Sequence, residues 1–256
     1  MNQFIELMMF SRVRGRLKPI AERLRYELIY GRECCRAFRK IPNLYLIPES
    51  KALFVHLPKV AGTSIGSSSL FDQARQVSGR RPSGHLPLHE ARVVLGDSFM
   101  RKIKVFTFVR NPGSRFISAY RYILAGGNHS GDRIIADHIK ANYQGIEDFL
   151  ERFQTDSFLS QCPHFRPMWT FLGATESDAE AAVNRLIFLG RFETLGEDWA
   201  HLTKVLGKPA AALPKANITK SSLPRLNVEV ADLENSPSFV HCYRHDYRLF
   251  GYSLPH

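Results

Sequence analysis

Phe54-Val55-His56-Leu57-Pro58-Lys59-Val60-Ala61-Gly62-Thr63-Ser64-Ile65 reads as a buried strand, a turn and the start of a helix. The apolar run Ala52–Leu57 has the continuous character of a strand covered on both faces. Backbone N–H groups where such a turn enters a helix attract anions. Gly62 has no side chain to hold a ligand away. Thr63 and Ser64 add hydroxyls and Lys59 adds positive charge. The lysine precedes the glycine, so the pattern G-x-x-x-x-G-K-[ST] of the common nucleotide-binding loop is absent. The same letters also fit an ordinary turn with a solvated lysine.

Working outward, Val105–Val109 forms a second buried-type strand, followed by Arg110-Asn111-Pro112 and a helix running through Ser118 and Tyr122. Pro112 suits the first turn of that helix. Arg110 offers a fork of donors to a phosphate, and Ser118, eight residues on, offers a hydroxyl. A third strand is expected at Leu186–Leu189 and a helix from Thr194 to Leu206, closed by Gly207. Ile146–Phe153 reads as a short helix, and residues 126–133 as a polar, glycine-rich loop able to act as a lid or acceptor edge. Strands alternating with helices predict an α/β fold, a parallel sheet flanked by helices.

Taken together, the Lys59–Ser64 turn and the Arg110–Ser118 segment resemble the 5′-phosphosulfate loop and 3′-phosphate motif of the sulfotransferases that use 3′-phosphoadenosine 5′-phosphosulfate (PAPS). The likeness is greatest to the branch holding carbohydrate (Golgi-type) enzymes and their bacterial relatives. Gly190-Arg191-Phe192-Glu193-Thr194-Leu195 with Asp198-Trp199, and the ending Asp246-Tyr247-Arg248-Leu249-Phe250-Gly251-Tyr252, resemble further blocks of that family. The resemblance covers residues 51–253. It implies a P-loop-NTPase-like sulfotransferase domain over 51–256, preceded by a basic helical segment, 1–50.

The resemblance also implies the chemistry. PAPS would be donor and adenosine 3′,5′-bisphosphate the product, with no metal. Lys59 would donate to the bridging or leaving oxygen. Val60, Ala61, Gly62, Thr63 and Ser64 would cradle the 5′-phosphate, and Arg110 and Ser118 would bind the 3′-phosphate. An acceptor hydroxyl needs a base, and relatives carry a histidine between the two phosphate motifs. His85 is expected in that role, with His89 or Glu90 as substitutes; imidazole titrates near neutrality. The acceptor is expected to be a hydroxyl-bearing glycan. His164 and Arg166 could face an acidic acceptor, and Lys220 could close over the nucleotide.

The chain of 256 residues carries a formal net charge of +11, which favours anionic partners. Residues 1–40 hold ten Lys/Arg against four Glu, a net of +6, so no basic face over the whole body is required, and no nucleic-acid partner is expected. Leu17, Ile20, Leu24 and Leu28 recur at helical spacing within 16–40, which fits either packing on the body or peripheral contact with an anionic membrane. Four cysteines without metal-ligand spacing, and an apolar N-terminal stretch followed rather than preceded by charge, predict a cytoplasmic protein without signal peptide or membrane anchor. A kinase-like phosphotransferase and a non-catalytic basic membrane- or nucleic-acid-binding protein are the competing readings.

Overall fold

The computed structural model describes residues 27–28, 31–209, 212–214 and 228–254. Among these, a four-stranded sheet runs in the order β1 (Leu46–Ile47), β2 (Ala52–Val55), β3 (Lys104–Val109), β4 (Phe188–Arg191). The pairs β2–β3 and β3–β4 are parallel, and β1 joins β2 antiparallel. β2 is buried at every position, as expected for a parallel strand with helices on both faces. The helices are α1 (Arg32–Lys40), α2 (Gly62–Gly66), α3 (Asp72–Ser78), α4 (Leu88–Leu95), α5 (Asp97–Met100), α6 (Pro112–Leu124), α7 (Ser130–Asn142), α8 (Ile146–Arg152), α9 (Glu176–Val183), α10 (Leu195–Val205), α11 (Val230–Glu234) and α12 (Pro237–Phe250).

The α/β expectation holds, with local corrections. The third strand lies two residues later than Leu186–Leu189, because Phe106 of β3 stands opposite Phe188. β1 was not anticipated; two residues beside Pro48 give too short an apolar run to read. The polar loop expected over 126–133 ends at His129. Asp132 turns back to accept the amides of Asn128 and His129, which caps α7 from Ser130 onward. The continuous helix expected over 16–40 is interrupted at Gly31, whose φ of 82° leaves the helical region. Leu28 is exposed, and α1 buries Cys34, Cys35, Ala37 and Phe38 instead. Leu17, Ile20 and Leu24 lie outside the described residues.

The buried apolar side chains of the described residues form two cores. One surrounds the sheet and takes in Phe38, Leu44 and Tyr45, so the described part of residues 1–50 packs with β2 and β3. The other gathers α6, α7, α8 and α12 around Phe116, whose ring meets Phe149, Phe153, Phe165, Phe239 and Tyr243 at 5.5–6.0 Å. Between them Arg115 is wholly buried and donates to the carbonyls of His164 and Arg166. That fixes the segment carrying His164. Among the described residues no helix is long and apolar enough to cross a membrane.

Candidate active site

The parallel strands all end on one side of the sheet, and ligands of open α/β sheets bind in the crevice there. β2 delivers residues 56–64, β3 delivers Arg110 and the start of α6, and β4 delivers Phe192. They converge on a cleft of about 1070 Å3. Ligand pockets span roughly 300–1,000 Å3, so the space suits a nucleotide-sized ligand with room beside it.

The first loop is strained where it meets the cleft. Lys59 and Ala61 both have φ of 68°, in the left-handed region that non-glycine residues seldom adopt. Left-handed residues set among right-handed ones can turn successive amides toward a common point and make an anion-binding concavity. Gly62 is required by packing: a Cβ there would fall inside the His56 ring. Gly66 similarly faces the ring of Tyr45. Val60 is wholly buried in the core around the sheet and, unlike Lys59 and Ala61–Ser64, does not line the cleft.

Arg110 leaves β3 and lies over Phe192, 4.1 Å from the ring centroid. Its Nε donates to Ser114 Oγ at 3.1 Å, and a terminal nitrogen donates to the Lys59 carbonyl at 3.4 Å. The Lys59 loop and the segment after β3 are thus joined directly. Glu193 holds the loop from behind, accepting from the Asn111 amide at 2.7 Å and from the Tyr252 hydroxyl at 2.9 Å. Ser114, Ser118, Arg121 and Tyr122 share the face of α6 that lines the cleft. No aspartate or glutamate lines it among the described residues, while Lys59, Arg81, Arg110 and Arg121 do. Such a donor set fits a ligand carrying several negative charges.

A sulfotransferase-family model matches residues 42–253. The chain belongs to the sulfotransferase family. It is therefore an enzyme that transfers a sulfuryl group to a hydroxyl-bearing acceptor. The match opens before β1 and closes after α12. No curated protein and no solved structure matches the chain.

Within this sulfotransferase, His85 also lines the cleft. Its Nδ1 is 3.0 Å from the carbonyl of His56. A carbonyl only accepts, so Nδ1 carries the proton and Nε2 keeps a lone pair. His56 Nδ1 in turn donates to the carbonyl of Gly84, the residue before His85, at 3.0 Å. Burial lowers the His85 pKa to about 4; His164 and Lys59 push the same way, against the His56 carbonyl. Burial likewise holds His56 well below the usual range. Lys59 is lowered to about 8, by burial first and then by Arg110.

Of the fallback residues, neither His89 nor Glu90 lines the cleft; Glu90 borders a separate cavity of about 280 Å3. His164 faces the cleft beside His85, their ring centroids 5.7 Å apart. Arg166 does not line it and lies over Phe171 instead. Lys220 lies outside the described residues. Sequence reasoning gave no role to Tyr122, Asp132 or Phe192. Phe192 stood within a quoted family block and could have been suspected from it; Asp132 carried no signal.

Proposed function

We propose that this sulfotransferase takes its sulfuryl group from PAPS and delivers it to a hydroxyl of a carbohydrate. The observation that carries the reading is the single cationic cleft shared by Lys59, Gly62–Ser64, Arg110, Ser118 and His85. Bound there, PAPS supplies the activated sulfuryl group and a phosphate leaving group. The amides of 60–64 and the Thr63 and Ser64 hydroxyls hold the 5′-phosphate, and Lys59 donates to the oxygen that takes up charge. Arg110 and Ser118 hold the 3′-phosphate, with Arg110 kept flat by Phe192 beneath it. His85 receives the acceptor hydroxyl's proton at Nε2, in the tautomer set by its bond to His56. A negatively charged donor beside His85 raises the affinity of the imidazole for a proton as the two substrates meet.

Calorimetry with adenosine 3′,5′-bisphosphate and with AMP tests the donor. The bisphosphate is expected to bind more tightly, and Arg110→Ala to remove most of that preference. Losing a charge-assisted contact costs about 1.5–3 kcal/mol, roughly 10- to 150-fold in affinity. Equal binding of the two nucleotides by the unaltered protein would end the 3′-phosphate assignment.

A further inference from the structure

We infer that Tyr122 and Asp132 are positioning residues for Lys59, a ring and a carboxylate that together seat its ammonium in the cleft before any donor arrives. The inference rests on the role given to Lys59 above. The Lys59 Nζ stands 3.8 Å from the centroid of the Tyr122 ring, where the π face attracts a cation. The Tyr122 hydroxyl donates to Asp132 Oδ2 at 2.7 Å. That hydrogen bond fixes the ring plane, and donation to a charged acceptor polarises the phenol toward its face.

Asp132 is built to stay ionised although it is buried. The amides of Asn128 and His129 meet Oδ2 at 3.0 and 3.1 Å, and His164 Nε2 lies 3.6 Å from Oδ1. Burial works to raise its pKa, but these partners outweigh it and hold the carboxyl below the usual range. Gly127 has φ of 55°, and a Cβ there would overlap Asp132. The chain wraps closely around this carboxylate because residue 127 is glycine.

The groups acting on Lys59 come from every neighbouring element: Arg110 after β3, Asp132 on α7, Tyr122 on α6, and His56, His85 and His164 from the flanking loops. Burial and Arg110 disfavour the ammonium, whereas Asp132 favours it. Neutralising Asp132 therefore releases the proton of Lys59 at lower pH.

Acetic anhydride labelling of the full-length protein without donor, mapped by mass spectrometry across pH, reads this directly, since only the neutral amine reacts. Lys59 is expected to label with a midpoint of about 8. Asp132→Asn is expected to lower that midpoint and to raise Lys59 labelling at pH 7 roughly 3-fold, with surface lysines unchanged. An unmoved midpoint in a folded Asp132→Asn protein overturns the carboxylate's role.

Should Asp132→Asn not fold, the ring series decides. Tyr122→Leu is expected to lower turnover about 3- to 30-fold, and Tyr122→Phe to restore most of the loss. In a Lys59→Ala background Tyr122→Leu is expected to add nothing. A further loss of equal size there would show that the ring does not act through Lys59. Lys59→Ala with undiminished turnover would instead defeat the catalytic reading of Lys59, while the labelling result would stand on its own.

Discussion

On one side of the cleft, six consecutive residues, Lys59–Ser64, sit on a single turn, and Arg110, Ser114 and Ser118 follow one another from a strand end onto one helix face. The second side of the comparison, His85, Tyr122, Asp132 and His164, comes from four separate segments, with Tyr122 on the same face of α6 as Ser118 and Asp132 behind the cleft lining, and meets only through tertiary structure. The first side depends on local backbone shape, and the second on two cores and a buried arginine holding distant segments in register. Substitutions on the two sides should therefore fail differently: local ones lose a ligand contact, assembled ones lose geometry.

The largest expected effect is on the assembled side. His85→Ala should lower turnover about 10²–10⁴-fold, the usual loss on removing a general base, with nucleotide affinity little changed. Steady-state kinetics with calorimetry separates the two. As the proposed base, His85 works in its neutral form, so kcat/KM of the unaltered protein should fall as pH drops through about 4, the lowered pKa of free His85. The same depression makes the charged imidazole unwelcome in the fold. Stability should decline as pH falls from the ordinary histidine range toward about 4, and this contribution should level off below it. Retained turnover in His85→Ala would move the base elsewhere, with His164 the next histidine to test.

Gly62→Ala should break both sides together. The added methyl would collide with the His56 ring, which is stacked against Phe54 and met edge-on by Tyr45. Overpacking of this kind costs about 1–3 kcal/mol. Because the His56 carbonyl orients His85, a shift there disturbs the proposed base as well as the loop. Gly131→Ala is the control. It lies in α7 with open space where its Cβ would stand. It should leave binding unchanged and gain up to about 1 kcal/mol in helix stability. Melting curves with and without adenosine 3′,5′-bisphosphate compare the two, and equal behaviour would contradict the close fit at Gly62.

The contrast also explains what could be read from the chain. β2 is a continuous apolar run, and β3 from Val105 onward is one broken only by Thr107, so their positions and the loops they deliver follow from composition alone. Pro112 and the Asn111 side chain, which accepts from the Ser114 amide at 2.9 Å, mark the start of α6 just as plainly. Asp132 is another matter. It lies among polar residues that resemble a loop, and only its partners Tyr122 and His164, 10 and 32 residues away, give it meaning. The break at Gly31 was hidden by the regular leucine spacing before it, because side-chain period carries no information about a single φ.

The smallest expected effect lies within the local side, between two serines one turn apart on α6. Ser114 is committed to the loop: its hydroxyl accepts from Arg110 Nε at 3.1 Å and donates to the Asn111 carbonyl at 3.2 Å. Ser118 lines the same cleft face, and in our proposal its hydroxyl meets the 3′-phosphate. Ser118→Ala should weaken adenosine 3′,5′-bisphosphate by one hydrogen bond, about 0.5–1.5 kcal/mol or roughly 2- to 10-fold. AMP binding should not change. The melting temperature of the free protein should hold or rise slightly, since alanine favours a helix over serine. Ser114→Ala should weaken the bisphosphate through Arg110 and also lower the melting temperature, because it unties the loop at the start of α6. If Ser118→Ala weakened AMP as much as the bisphosphate, its hydroxyl would belong to the 5′ end of the ligand, and the division of labour between the two motifs would have to be redrawn.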